Sequence, residues 1–290
     1  MRIVIHFPAG GSTDLVARTL AQALTESMGQ PFVVENRTGA DGAIAAAAVM
    51  QAPPDGHTLF IATNTAMLQV PLLQKKPPYD PLTSFTPVSL VGRYTFLLVV
   101  TPSLGVKTFD ELIAYARKNP GKVNFATYSG ASQLAYAQII KTAGVDMLRV
   151  PYKGEAPSVI DLLGGQVHAV FATPTSSAVH IRDGKLRALA VTTVKRDELL
   201  PDLAPVADTV PGYESSAWFG IGAPHGTPPE LVALLNKTVN AGLADPKMRA
   251  RYTELGGGIV ASSPAAFGKL IAEETEKWGK VVKFAGLKPV

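Results

Sequence analysis

The chain has 290 residues, 47% of them hydrophobic and 17% charged, with a formal charge of +4 and no cysteine. That composition describes a compact globular protein with room for two domains, not a disordered chain. It excludes disulfides, thiolate catalysis and cysteine-ligated zinc, and the lack of any Lys/Arg cluster longer than two residues argues against a nucleic-acid binder.

No apolar run reaches the roughly 18 to 20 residues that span a bilayer. Met1-Arg2 leads straight into an apolar strand. The expectation is therefore either a cytoplasmic chain or one whose leader has been removed.

In chain order, "IVIHF" reads as a first strand, followed by the turn "PAGGSTD" and a helix on which Val16, Leu20, Leu24 and Met28 recur along one face. Gly29 ends that helix. "PFVVEN" is a second strand, "RTGADGAIAAAAVMQA" a glycine-bounded turn into an alanine-rich helix, and "PPDGHTLFIAT" a turn and third strand. A second set begins near residue 96. "FLLVV" and "KVNFATY" are strands around a capped helix, and "SGASQLAYAQIIKTAG" is again turn then helix. "MLRVPY", "VHAVFAT" and "KLRALAVTT" read as strands, with "APSVIDLLGGQ" as a helix. After "AWFGIGAP" come two helical segments, "PPELVALLNKTVNAGLA" and "PAAFGKLIAEETEKWGKVVKFAG", with "GGGIV" between them read as a helix end and turn.

Alternating strands and helices predict an α/β protein of βαβ units, each lobe a mainly parallel sheet flanked by helices. The tail needs a sheet to cover, so it is expected to return to the first block. That gives a discontinuous domain 1 of residues 1–98 and 218–290 and a domain 2 of residues 99–217. The chain crosses near 98–101 and 215–222, and the paired crossings form a hinge beside a ligand cleft.

The two blocks contain matching devices, "PAGGSTD" after the first strand and "SGASQ" after "VNFATY". Small residues admit a ligand to the backbone, helix-start amides lack intrahelical partners, and Ser12, Ser129 and Ser132 add hydroxyls. Each turn thus reads either as a simple connection or as an anion seat without formal positive charge. Four hydrogen bonds to a carboxylate at about 1.5 to 3 kcal/mol each, less the cost of ordering, correspond to roughly micromolar affinity. Asp14 either repels such an anion, stabilises the helix start, or accepts a donor from the ligand or a nearby backbone amide. Tyr94, Phe96, Tyr128 and Trp218 either line a cleft or pack a hinge. No P-loop, GxSxG elbow or HExxH occurs, and the five histidines show no ligand spacing. No metal site, catalytic residue or cofactor is therefore expected.

"FPAGGSTD", "VVENRTGADGAIAA", "PPDGHTL", "PYKGEAPSVIDLLGGQV" and "AWFGIGAP", in this order along nearly the whole chain, resemble the substrate-binding proteins of tripartite tricarboxylate transporters, the TctC or Bug family. The resemblance implies a two-lobed periplasmic-binding-protein fold of the type II, Venus flytrap class, and a monomer that captures a small carboxylate (of di- or tricarboxylate, aromatic or amino acid type) between its lobes and delivers it to membrane transporter subunits. It places Phe7, Ala9, Gly10, Gly11, Ser12, Thr13 and Asp14 on one wall of the site and Ser129, Gly130, Ala131 and Ser132 on the other. Asn64, Thr65 and Thr173 (or Thr175) are further ligand-binding candidates. The alternatives are a sensing domain for a signalling partner and a serine hydrolase.

Overall fold

The computed structural model describes residues 1–193, 196, 200–254 and 257–287. The chain divides into two compact units. Unit 1 is residues 1–93 with the tail from Trp218 onward, and unit 2 runs Tyr94–Ala217.

Unit 1 is built on a six-stranded sheet. Its strands are β1 (Arg2–Ile5), β2 (Val33–Asn36), β3 (Thr58–Thr63), β4 (Phe85–Thr95, continuing two residues past the unit boundary), β10 (Ser216–Pro224) and β11 (Gly257–Ile259). The order across the sheet is β11-β4-β10-β3-β1-β2. β1 pairs in parallel with both β2 and β3, while β10 runs antiparallel to β3. All six residues of β3 are buried, as expected of an interior strand covered on both faces.

Helix α1 (Ser12–Met28) buries Val16, Leu20 and Leu24 and ends on Gly29, whose φ of 63° suits the left-handed helix cap. The alanine-rich α2 (Ala43–Met50) buries Ala45, Ala46 and Val49. Thr65–Gln69 forms a single π-type turn leading into α3 (Val70–Leu73). The tail helices α8 (Pro229–Ala244), α9 (Pro246–Glu254) and α10 (Pro264–Ala285) all belong to unit 1. Gly242 of α8 faces Leu20, Ala23 and Leu24 of α1, and the tip of the Phe267 ring of α10 packs against Gly220 of β10.

Unit 2 carries a five-stranded sheet of β5 (Leu97–Val100), β6 (Asn124–Thr127), β7 (Leu148–Pro151), β8 (Ala169–Ala172) and β9 (Arg187–Val191), in the order β7-β6-β8-β5-β9. Its helices are α4 (Phe109–Lys118), α5 (Gly130–Ala143), α6 (Glu155–Leu163) and α7 (Pro174–Arg182). Phe125 and Phe171 meet at 5.1 Å in its core, with Phe96 6.3 Å from Phe171.

Several expectations need correction. The sheets are mixed. β6 pairs in parallel with β7 and β8, but β5 is antiparallel to both β8 and β9. β5 and β10 each bring the chain into a unit without a preceding crossover helix, so no right-handed βαβ connection fixes them parallel. Leu97 and Leu98, assigned to domain 1 from sequence, pair with β8 and β9 and belong to unit 2. β4 and α7 are not among the elements expected from sequence, and each carries residues that locally disfavour it, Pro87 and Gly92 in one and "PTSS" in the other. Gly92 has a packing reason: a Cβ there would lie 2.8 Å from the Gly258 carbonyl oxygen. "GGGIV" contains strand β11 rather than a turn, and its Gly256 lies outside the described residues. No helix among the described residues is long and apolar enough to cross a membrane.

Candidate functional site

In an open α/β sheet, ligands bind beyond the carboxyl ends of parallel strands where the strand order reverses. Unit 1 reverses at β1, which has β2 on one side and β3 on the other. The first turn leaves β1 at that point. Pro8, Ala9, Gly10 and Gly11 are all exposed, Phe7 is partly so, and Thr13 is buried. Gly10 has a φ of +86°, which favours glycine. Gly11 is the N-cap of the 17-residue α1 in extended backbone, and no side chain caps the helix. The first-turn amides of α1 therefore have no side-chain cap and lie behind an exposed turn, at the positive end of the helix dipole. The Ser12 side chain lies outside what is described.

Asp14 does not face this opening. It is 2% exposed, and its carboxylate is an interior hub. Oδ2 accepts the Gly10 amide and Arg18 Nε, both at 2.9 Å, and Oδ1 accepts Asn36 Nδ2 at 2.9 Å. Asn36 Nδ2 also donates to the Phe7 carbonyl, and Arg18 Nη2 donates to Asn36 Oδ1. Burial pushes the Asp14 pKa up, but the Arg18, Gly10 and Asn36 donors outweigh it and hold the carboxyl below its usual range. The Gly10 amide is thus committed to shaping the loop.

Beneath the turn, His6 Nε2 is 2.7 Å from Thr63 Oγ1, joining the ends of β1 and β3. Burial lowers its pKa to about 3, so the ring is neutral at physiological pH.

Unit 2 reverses at β6, between β7 and β8. The second turn leaves β6 there, but it is closed on itself. Ser132 Oγ accepts the Tyr128 and Ser129 amides at 3.0 and 2.9 Å and donates to the Ser129 carbonyl, while Ser129 Oγ accepts the Ser132 amide. This reciprocal capping box occupies the hydroxyls that the sequence reading offered to a ligand. Ser132 is 0% exposed, and Ala131 is buried in the first turn of α5 beside Gly130.

The helix start after β8 is also filled. Glu155 Oε1 accepts the Thr173 amide and the Ser176 hydroxyl, both at 2.5 Å. Burial raises the Glu155 pKa, opposed by these donors.

Asn64 and Thr65 are buried at the end of β3, and Asn64 Oδ1 accepts the Trp218 amide at 2.7 Å. That bond fixes the start of β10. Trp218 is 1% exposed and packs edge-on to Phe267 at 5.5 Å, so it is a core residue. Phe96 is likewise core, while Tyr94 and Tyr128 are partly buried against it. Neither Ser129 nor Ser132 bonds to a histidine, and among the described residues no group of three His, Asp or Glu is placed to hold a metal.

Sequence reasoning took Asn36 as a structural residue of its turn, which its bonds to the Phe7 carbonyl and Asp14 bear out, and missed Arg18, His6 and Glu155. Arg18 stood four residues after Asp14, a readable helix pair. The others act across strands, and nothing in their local sequence announces their partners.

Two mixed sheets flanked by helices, each with a strand-to-helix turn at its reversal point, define a two-lobed solute-binding protein. A family model described as "Tripartite tricarboxylate transporter family receptor" matches residues 16–287, and the chain belongs to that family. It is 37% identical to Protein BugT of Bordetella pertussis over 99% of this chain and 90% of that protein. Rpa4515 of Rhodopseudomonas palustris, solved with adipate, superposes with a TM-score of 0.93 at 38% identity, covering 100% of this chain and 98% of that one. MatC of Rhodopseudomonas palustris, solved with malate, gives 0.89 at 31% identity, covering 97% and 98%. The chain is a solute-binding receptor, not an enzyme.

Proposed function

We propose that this receptor binds a small carboxylate in the periplasm and, as a monomer, delivers it to the membrane subunits of a tripartite transporter. The observation that carries the reading is the uncapped start of α1 behind an exposed Pro8–Gly11 turn, at the reversal point of the unit 1 sheet. Thr13 and the backbone from Phe7 to Ser12 then supply the seat, with Asp14 as its support. In unit 2 the backbone of Ser129–Ser132 and the Thr173 region is the matching candidate, reduced by its own capping bonds. The adipate and malate bound to the two Rhodopseudomonas relatives support a carboxylate ligand.

Titration calorimetry with adipate, malate and their neutral amides tests this. The acids are expected to bind at about micromolar Kd, near −8 kcal/mol, and the amides far more weakly. Gly11→Val is the informative variant, because its backbone (φ −80°, ψ 169°) accepts any residue and a Cβ there meets only the Pro8 carbonyl oxygen at 3.8 Å. It should stay folded yet lose at least tenfold in affinity. Wild-type affinity in Gly11→Val would remove the first turn as the seat. Co-purification with transporter membrane subunits tests the delivery step, and capture of a signalling receptor instead would contradict it.

A further inference from the structure

Thr192 bonds to both of the segments by which the chain enters and leaves unit 2. It follows β9, one step beyond the Leu97–Val191 pair of the antiparallel β5–β9 ladder. A regular ladder would join Phe96 and Thr192 there by two backbone bonds. The first is made, the Thr192 amide donating to the Phe96 carbonyl at 3.0 Å. The second is replaced. The Phe96 amide donates to Thr192 Oγ1 at 3.1 Å, and that hydroxyl lies 3.2 Å from the Phe96 carbonyl, to which it donates. The Thr192 carbonyl is thereby left to accept the Ser215 amide at 3.0 Å. A side-chain hydroxyl takes the place of a backbone carbonyl, and one fully buried residue secures the entering and the leaving segment together.

The unit 1 ends of the same two segments have anchors of their own. The Val91 carbonyl accepts the Val260 amide, and the Gly258 carbonyl closes in on Gly92. The Trp218 amide is bound by Asn64 Oδ1. Unit 1 thus holds the chain as far as Gly92 and again from Trp218, while unit 2 holds it from Phe96 to Ser215. Residues 93–95 and 216–217 lie between the anchors.

We propose that Thr192 is a positioning residue that couples the two crossings, so that residues 93–95 and 216–217 bend together when the receptor changes conformation. This goes beyond the carboxylate reading and holds whichever solute is bound. Without the hydroxyl, the buried Phe96 amide has to turn to the carbonyl that Ser215 already uses, and the two segments contend for one acceptor.

The test is amide hydrogen exchange, read residue by residue by NMR on the full chain without ligand, in the wild type, Thr192→Val and Thr192→Ser. Thr192→Val should speed exchange at both Phe96 and Ser215 by about tenfold or more while the amides of β6 and β8 keep their protection. Thr192→Ser, which retains the hydroxyl, should keep both sites near wild type. A uniform rise across unit 2 in Thr192→Val would mean that Thr192 only stabilises the fold, and overturns the proposal. Faster exchange at just one of the two sites overturns it as well, because the segments are then held independently. No change at either site, or a Thr192→Ser chain that behaves like Thr192→Val, does the same.

Discussion

Asp14→Asn is the sharpest probe of how the first turn is held. The carboxylate receives three donors, two on Oδ2 and one on Oδ1. Turning the new amide so that its oxygen keeps the Gly10 and Arg18 donors points its NH2 at Asn36 Nδ2, donor against donor. Asn36 cannot rotate to help without losing its bonds to the Phe7 carbonyl and from Arg18. One hydrogen bond to a charged group is lost, worth about 1.5 to 3 kcal/mol. The Arg18 attraction adds little, since its side chain is 49% exposed. The expected cost is about 2 to 3 kcal/mol, or roughly 4 to 12 °C in melting temperature for a unit of this size. Calorimetric melting and ligand titration would read both consequences, with affinity falling because Gly10 is no longer held. A variant with unchanged Tm and unchanged Kd would refute the hub.

The pH dependence has a definite sign. Because the folded Asp14 pKa is depressed, its contribution is complete well above about 3.9, the unfolded value, and is lost as pH falls through the folded pKa.

His6 predicts a separate acid effect: with a folded pKa near 3, the unfolded chain binds the extra proton below about pH 6.5, so stability should decline from there toward pH 3. His6→Gln should flatten that slope in chemical denaturation, and an unchanged slope would contradict a neutral buried ring. Ser132→Ala should cost about 1 to 3 kcal/mol by stranding the Tyr128 and Ser129 amides, measured by urea unfolding; no loss would show that the capping box does not hold the turn. Gly220→Ala places a Cβ 2.3 Å from the Phe267 ring and should destabilise unit 1 by about 1 to 3 kcal/mol, an effect that Phe267→Leu in the same chain should reduce. Raising salt from 0.05 to 0.5 M should weaken ligand binding only slightly if amide donors dominate the seat, and a steep dependence would point to an unrecognised Lys or Arg.

Local chemistry was enough to recover the elements whose signals are local. β1, β3, β5, β6 and β8 are short apolar runs bounded by turn residues, and α1 and α10 carry periodic apolar faces. Both strand-to-helix turns were visible for the same reason, since Gly10-Gly11 and Ser129-Gly130 punctuate the chain where a strand stops. β4 and α7 were hidden because Pro and Gly dominate local propensity, and only pairing with neighbours in three dimensions overrides it. The strand directions were hidden too, because whether β5 and β10 run parallel depends on where the chain enters each sheet.

The site divides along the same line. The sequence by itself determined where backbone is accessible, through the small residues of the two turns and the lack of cysteine, metal or nucleophile motifs. Only the tertiary structure decided which of those amides and hydroxyls are already spent. Asp14 consumes the Gly10 amide, Ser129 and Ser132 consume each other, and Glu155, 18 residues before Thr173, fills the start of α7. A hydrogen-bonding group has a fixed capacity, and the partner that claims it is set by proximity in space, which residue spacing along the chain does not encode.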